Sequence, residues 1–101
     1  MPDSPSLSYT SALILGTIHA GAPYGFQIMD LTGLPSGTVY PALRRLERDH
    51  LVKSAWEKEK AAFAEQRPAR KYYKLTRAGE QALDQAGQRY RLPEFHTPEK
   101  S

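Results

Sequence analysis

The chain has 101 residues, enough for one small domain and too few for two independent cores. Hydrophobic residues make up 40%, but twelve of them are Ala and six are Tyr, so the core is lean; the lack of Cys excludes disulfide scaffolds, thiolate metal sites and cysteine nucleophiles. Net charge is +3, yet residues 1–35 carry no Lys or Arg, whereas residues 36–75 hold ten basic side chains against five acidic ones. Such asymmetry points to an anionic partner on one region, with a plain solvated face as the alternative.

Residues 1–6 lack the basic and apolar character of a signal peptide and read as a disordered segment. No run reaches the roughly 18 apolar residues of a membrane span, so the expectation is a cytoplasmic protein with no membrane partner. Residues 7–20 form the most apolar stretch, and the Ile14–Ile18 spacing predicts a buried helix stopped by Gly21 and Pro23. Tyr24 to Thr32 reads as a second, short helix with Phe26, Ile28, Met29 and Leu31 inward and Gly33 ending it.

Ser36 is placed to cap the clearest helix of the sequence, Gly37 to His50. Val39, Leu43, Leu46 and His50 share one face; Tyr40, Arg44 and Arg48 lie opposite, beside Thr38 and Arg45. A strand is predicted from Leu51 to about Glu57, and a second over Arg70 to Leu75. Thr76 can cap a last helix to about Tyr90, with Ala78, Ala82, Leu83 and Ala86 as its apolar side. Pro93 stops that helix, and residues 92–101 read as a flexible tail.

Helix, helix, helix, strand, strand, helix is the order of a mainly α winged helix-turn-helix with a two-stranded β-wing, occupying residues 7–91. A four-helix domain with an incidental hairpin is the alternative. A helix that enters the DNA major groove is tethered by one apolar face and presents polar groups on the other. The helix beginning at Ser36 meets both conditions, and its N-terminal turn offers backbone N–H groups to phosphate. Ser36, Thr38 and Tyr40 supply hydroxyls; the Arg44 fork suits guanine O6 and N7, and Arg45 and Arg48 suit phosphates. Ser36 is first of all a cap, and Arg48 has a simpler role in pairing with Glu47 or Asp49.

Arg67, Arg70, Lys71 and Lys74 cluster on the return strand, a second element suited to phosphate. Tyr72 and Tyr73 point to opposite faces, one toward the core, and Trp56 reads as a packing residue. His19, His50 and His96 share no metal-ligand spacing. No carboxylate pair, phosphate loop or nucleophile motif stands out, so neither an enzyme nor a cofactor or metal is expected.

Tyr24-Gly25-Phe26-Gln27-Ile28, PSGTVYPALRRLERDHLV at 35–52 and RPARKYYKLTRAGEQAL at 67–83 resemble the PadR family of bacterial transcription regulators over roughly residues 10–86. The resemblance implies a homodimeric winged-helix protein on a dyad-symmetric operator, usually a repressor. It implies DNA-facing roles for Tyr24, Ser36, Thr38, Tyr40, Arg44, Arg70 and Lys71, to which the basic clustering adds Arg45 and Arg67. Family members dimerise through a long C-terminal helix. Here that helix, 76–91, is short, so dimerisation is expected to pair the first helix, with Leu13, against Ala82, Leu83, Ala86 and Tyr90 of the partner.

The turn before Ser36 is short, Gln66 stands where Gly is common, and residues 58–66 have the propensity for a helical turn in the wing. The length leaves little for a dedicated sensor domain, although a small aromatic effector is carried as a candidate partner. The reading from a different class is a winged-helix protein-interaction module using the Phe26/Met29 region or the Phe63 loop.

Overall fold

A computed structural model describes residues 7–21 and 24–95. The segment 1–6, the Pro23 stop, His96 and the end of the tail lie outside the described residues. The elements are α1 (Tyr9–His19), α2 (Gly25–Thr32), α3 (Ser36–Arg48), β1 (Val52–Trp56), α4 (Glu59–Ala64), β2 (Lys71–Leu75) and α5 (Arg77–Arg89). This is the mainly α winged helix-turn-helix order, with a helical turn inside the wing.

Ile14, Leu15 and Ile18 of α1, Ile28 of α2 and Val39, Ala42, Leu43 and Leu46 of α3 close on one another, with Val52 sealing the hairpin side. Leu83, Ala82 and Tyr73 pack against this cluster from α5 and β2. Phe26 does not join it and is 69% exposed. At 100° per residue it lies almost opposite Ile28, so the two cannot both face inward. Gly33 ends α2 with φ at 75°, as expected of a left-handed cap, and its N–H bonds the Met29 carbonyl.

The capping role expected of Ser36 is not realised. Pro35 holds the N-cap position with extended backbone, its carbonyl accepting from Thr38 and Val39, and Ser36 is the first helical residue. The Ser36 hydroxyl therefore stays at the exposed helix N-terminus. His50 likewise leaves the apolar stripe, because α3 ends two residues earlier. It takes the left-handed conformation, φ 62°, in a Schellman motif: its N–H bonds Glu47 and that of Leu51 reaches back to Leu46. The periodicity continues past the point where the backbone turns.

Thr76 ties this turn to α5. Its hydroxyl donates to the His50 carbonyl at 2.7 Å and accepts from Gly79 N–H at 3.0 Å. Its own N–H bonds the Leu51 carbonyl. Gly79 is buried where α5 passes so close to that carbonyl that a Cβ would collide with it. The expected apolar residue Ala78 is instead exposed, one step off this contact.

β1 and β2 pair antiparallel from Val52↔Leu75 to Trp56↔Lys71. Positions 52, 54 and 56 share a face, of which only the first is buried in the core. Trp56 is 68% exposed and so is not the packing residue expected. Gln66, φ 57°, closes α4 as His50 closes α3, with Arg67 N–H returning to Ala62. A left-handed position explains why Gly suits this site.

At the far end Tyr90 meets Tyr9 edge-on at 5.3 Å, and its hydroxyl donates to the Leu7 carbonyl. Phe95, assigned by sequence to the tail, sits where a Cβ on Gly16 would touch its ring. Gly79→Ala should cost about 1–3 kcal/mol through overpacking against Leu51, whereas His50→Gly should stabilise by about 0.5–1 kcal/mol by relieving φ. Urea unfolding of the two variants beside the wild type checks both signs.

Candidate nucleic-acid interface

The apolar side of α3 is wholly used in the core, and this decides which side chains remain outside. Tyr40, Arg44 and Arg48 follow at i, i+4 and i+8 on the exposed side, with Arg45 beside them and Thr38 half-buried. The Tyr40 ring lies over the start of α2, close enough to Gly25 that a Cβ there would run into it. Arg48 reaches Asp49 at 3.3 Å in an exposed pair, an interaction of little energetic weight. Arg44 and Arg45 are exposed beyond it, and Ser36 and Gly37 leave the α3 N-terminus open to solvent.

Glu47 joins α3 to the hairpin. Its carboxylate accepts from the Ser54 hydroxyl at 2.7 Å and lies 3.8 Å from the Lys71 ammonium. Both ends of the Glu47–Lys71 pair are more than one-third exposed, so Lys71 can exchange this partner for another anion at small cost. Tyr73 stands beside Glu47, Tyr40 and Arg44. Burial holds its hydroxyl above the ordinary tyrosine range, Glu47 and Tyr40 adding to the shift and Arg44 opposing it.

The other face of the wing is organised by Glu57, a residue with no assigned role in the sequence reading. Its carboxylate takes both terminal nitrogens of Arg67, at 2.6 and 2.8 Å, the Arg70 N–H at 3.2 Å and the Tyr72 hydroxyl at 3.2 Å. Arg67 also reaches Glu65 at 3.2 Å. The Arg67 and Glu57 side chains are only 18% and 9% exposed, and the fork geometry is the strong form of this pair. Arg67 is therefore occupied within the wing and is not presented to a partner as expected.

Arg70 lies 4.1 Å above the Tyr24 ring, which meets Tyr72 edge-on at 5.7 Å, and Tyr24 forms a β-bridge to Tyr72. Tyr24 and Arg70 thus join the α2 N-terminus to the wing, both half-buried. Lys53 and Lys74 are direct cross-strand neighbours on the exposed face, a repulsive pairing that an anion would relieve.

Of the residues expected at a dimer contact, Leu13 is half-buried, Ala82 and Leu83 pack partly on the chain's own core, and Ala86 is buried. Tyr90 is engaged with Tyr9 and Leu7. Two open depressions lie among the described residues. One of about 500 Å³ lies under Phe63 and Arg67 at the wing tip; the other, about 450 Å³, lies between His19, Leu83 and Leu92. Among the described residues no group of three His, Asp or Glu side chains is placed to hold a metal, and no helix is long and apolar enough to cross a membrane.

Arg67 holds the Glu57 carboxyl at about 2, well below its ordinary 4.5; burial opposes this, and the Arg70 N–H and Tyr72 hydroxyl assist it. A depressed carboxyl contributes stability that is complete above its unfolded value and lost as pH falls toward its folded one. The stability gap between wild type and Glu57→Gln should thus be constant above pH 4.5 and shrink from there toward pH 2. Urea midpoints across that range measure it.

Comparison with known proteins places this geometry. The model of the transcriptional regulator PadR-like family matches residues 14–85. Among solved structures, the chain is similar to a PadR family transcription regulator of Clostridium difficile, 31% identical over 83% of this chain and 88% of that one, with a TM-score of 0.72. It is also similar to a PadR-like transcription factor of Bacteroides fragilis, 30% identical over 80% of this chain and 79% of the other, TM-score 0.67. A transcriptional regulator of Clostridium thermocellum is 25% identical over 82% and 81% of the two chains, TM-score 0.68. No curated protein matches.

Proposed function

The chain belongs to the PadR-like family of transcriptional regulators, and on that premise we propose that it binds DNA sequence-specifically as a homodimer, reading a palindromic operator with α3 and repressing transcription in the cytoplasm. The observation that carries this reading is the division of α3: Val39, Leu43 and Leu46 are buried, while Tyr40, Arg44 and Arg45 are exposed. A helix held by one side and basic on the other is what the major groove admits.

Arg44 is the residue we assign to a guanine edge, because it is exposed and among the described residues no ion pair engages its fork. Ser36, Thr38 and the open first turn of α3 are assigned to phosphate, with Tyr40 and Arg45 beside them. Lys71 is the wing's phosphate contact, and Arg70 and Tyr24 hold the wing against α2. The dimer contact is assigned to Leu13 and the α5 surface around Ala82 and Leu83, which would set two α3 helices about 34 Å apart. Dimerisation by a member of this family also calls for solution mass, which should equal two chains.

Exposure of Phe26 and Phe63, 69% and 83%, favours a second reading in which the domain holds a protein partner. In that case changing Arg44 and Arg45 leaves function intact and changing Phe63 abolishes it.

Titration of the DNA upstream of its own gene at two salt concentrations tests the proposal. Affinity should fall steeply with salt as phosphate-bound counterions are released. Arg44→Ala should relax sequence preference by about 1–3 kcal/mol, and Lys71→Ala should weaken all duplexes similarly while flattening the salt slope. Absent or salt-independent binding would overturn it.

A further inference from the structure

Trp56 is the single tryptophan of the chain, and it is left largely in water at the end of a five-residue strand. An indole is among the largest apolar side chains, so leaving it exposed on a small domain with a lean core forgoes stabilisation that burial would have supplied. Its surroundings indicate what covers it.

The face that Trp56 shares with Val52 and Ser54 changes character along β1. Val52 is in the core, Ser54 donates to Glu47 of α3, and Trp56 is the next step outward, past that contact. Directly across the hairpin is Lys71, whose ammonium lies 5.9 Å from the indole centroid, 5.8 Å from the Tyr73 ring and 3.8 Å from Glu47. Lys71 thus connects the indole to α3, and Arg44 stands one turn before Glu47 on the exposed side of that helix. The indole lies at the outer lip of the angle between α3 and the wing.

The chemistry of that lip selects the occupant. A protein partner seated there would need an extended apolar patch, whereas Trp56 is a largely exposed indole beside Lys71, with only the half-buried Tyr73 as an aromatic neighbour on that face. Cations spaced around one flat apolar surface match a nucleic-acid strand, which alternates phosphates with apolar sugar faces. Resting on the DNA-binding reading above, we propose that Trp56 is a DNA-contacting residue: its indole packs on a deoxyribose of the strand passing between α3 and the wing, whose neighbouring phosphate meets Lys71. The contact is uncharged and independent of sequence. It adds affinity without displacing counterions.

Because the tryptophan is single, its emission reports this site alone. The experiment is acrylamide quenching of the whole protein, free and saturated with a mixed-sequence DNA duplex at low salt, with binding followed separately by anisotropy of the labelled duplex. Free protein should be strongly quenched, and saturation should lower the quenching constant by roughly threefold or more, as for an indole covered on one face. Trp56→Ala should weaken duplex binding roughly five- to tenfold with an unchanged salt slope, in contrast to Lys71→Ala. An unchanged quenching constant while the labelled duplex is bound overturns the Trp56 contact and leaves the DNA reading standing. A shielded indole in the free protein overturns it too, since another surface then covers it. No binding of the duplex at all overturns the DNA reading, and this contact with it.

Discussion

The structure depends on how α3 is held. Its only apolar side is the run Val39, Ala42, Leu43 and Leu46, and every one of these is buried against α1, α2 and β1. Rotating the helix by a third of a turn would place arginines in the core, where an unpaired charge costs several kcal/mol or more. The outward direction of Tyr40, Arg44 and Arg48 is therefore a consequence of packing. A basic surface in a fixed orientation is what turns a small helical domain into a reader of an anionic polymer.

Two carboxylates then set the wing relative to that helix, and they act with different strength. Glu47 reaches from α3 to Ser54 and Lys71 through a half-exposed contact that a competing anion can displace. Glu57 takes four donors, two of them from the Arg67 fork, in a nearly closed site. Glu57 engages Arg67 within the wing, while Glu47 holds Lys71 in a loose, half-exposed pair. Thr76 completes the frame by bonding the end of α3 and the start of α5 at once.

Much of this was legible before the fold was known. The α3 stripe, the left-handed Gly33, the Thr76 cap and the helical turn in the wing all follow from local rules that operate within four or five residues. The failures are where local rules compete with distant geometry. Ser36 has the chemistry of a cap, but Pro35 starts the helix one residue earlier. His50 keeps the helical spacing of Leu43 and Leu46 although a Schellman turn has already ended the helix. Trp56 alternates correctly with Val52, but the core extends only as far as α3 covers the strand. Arg67 looked available because its partner Glu57 is ten residues away, across a loop whose closure no short-range pattern encodes. The acidic residue in an otherwise basic hairpin was the one signal that pointed to it.

The central claim is that two copies of α3 enter successive major grooves of one operator. Protection of guanine N7 from methylation on the DNA upstream of its own gene tests it most directly, because N7 is reached only from the major groove. The account predicts two protected patches related by a dyad and centred about one helical turn, some 10 base pairs, apart. Binding with every guanine N7 still reactive, or protection confined to a single patch, would contradict it.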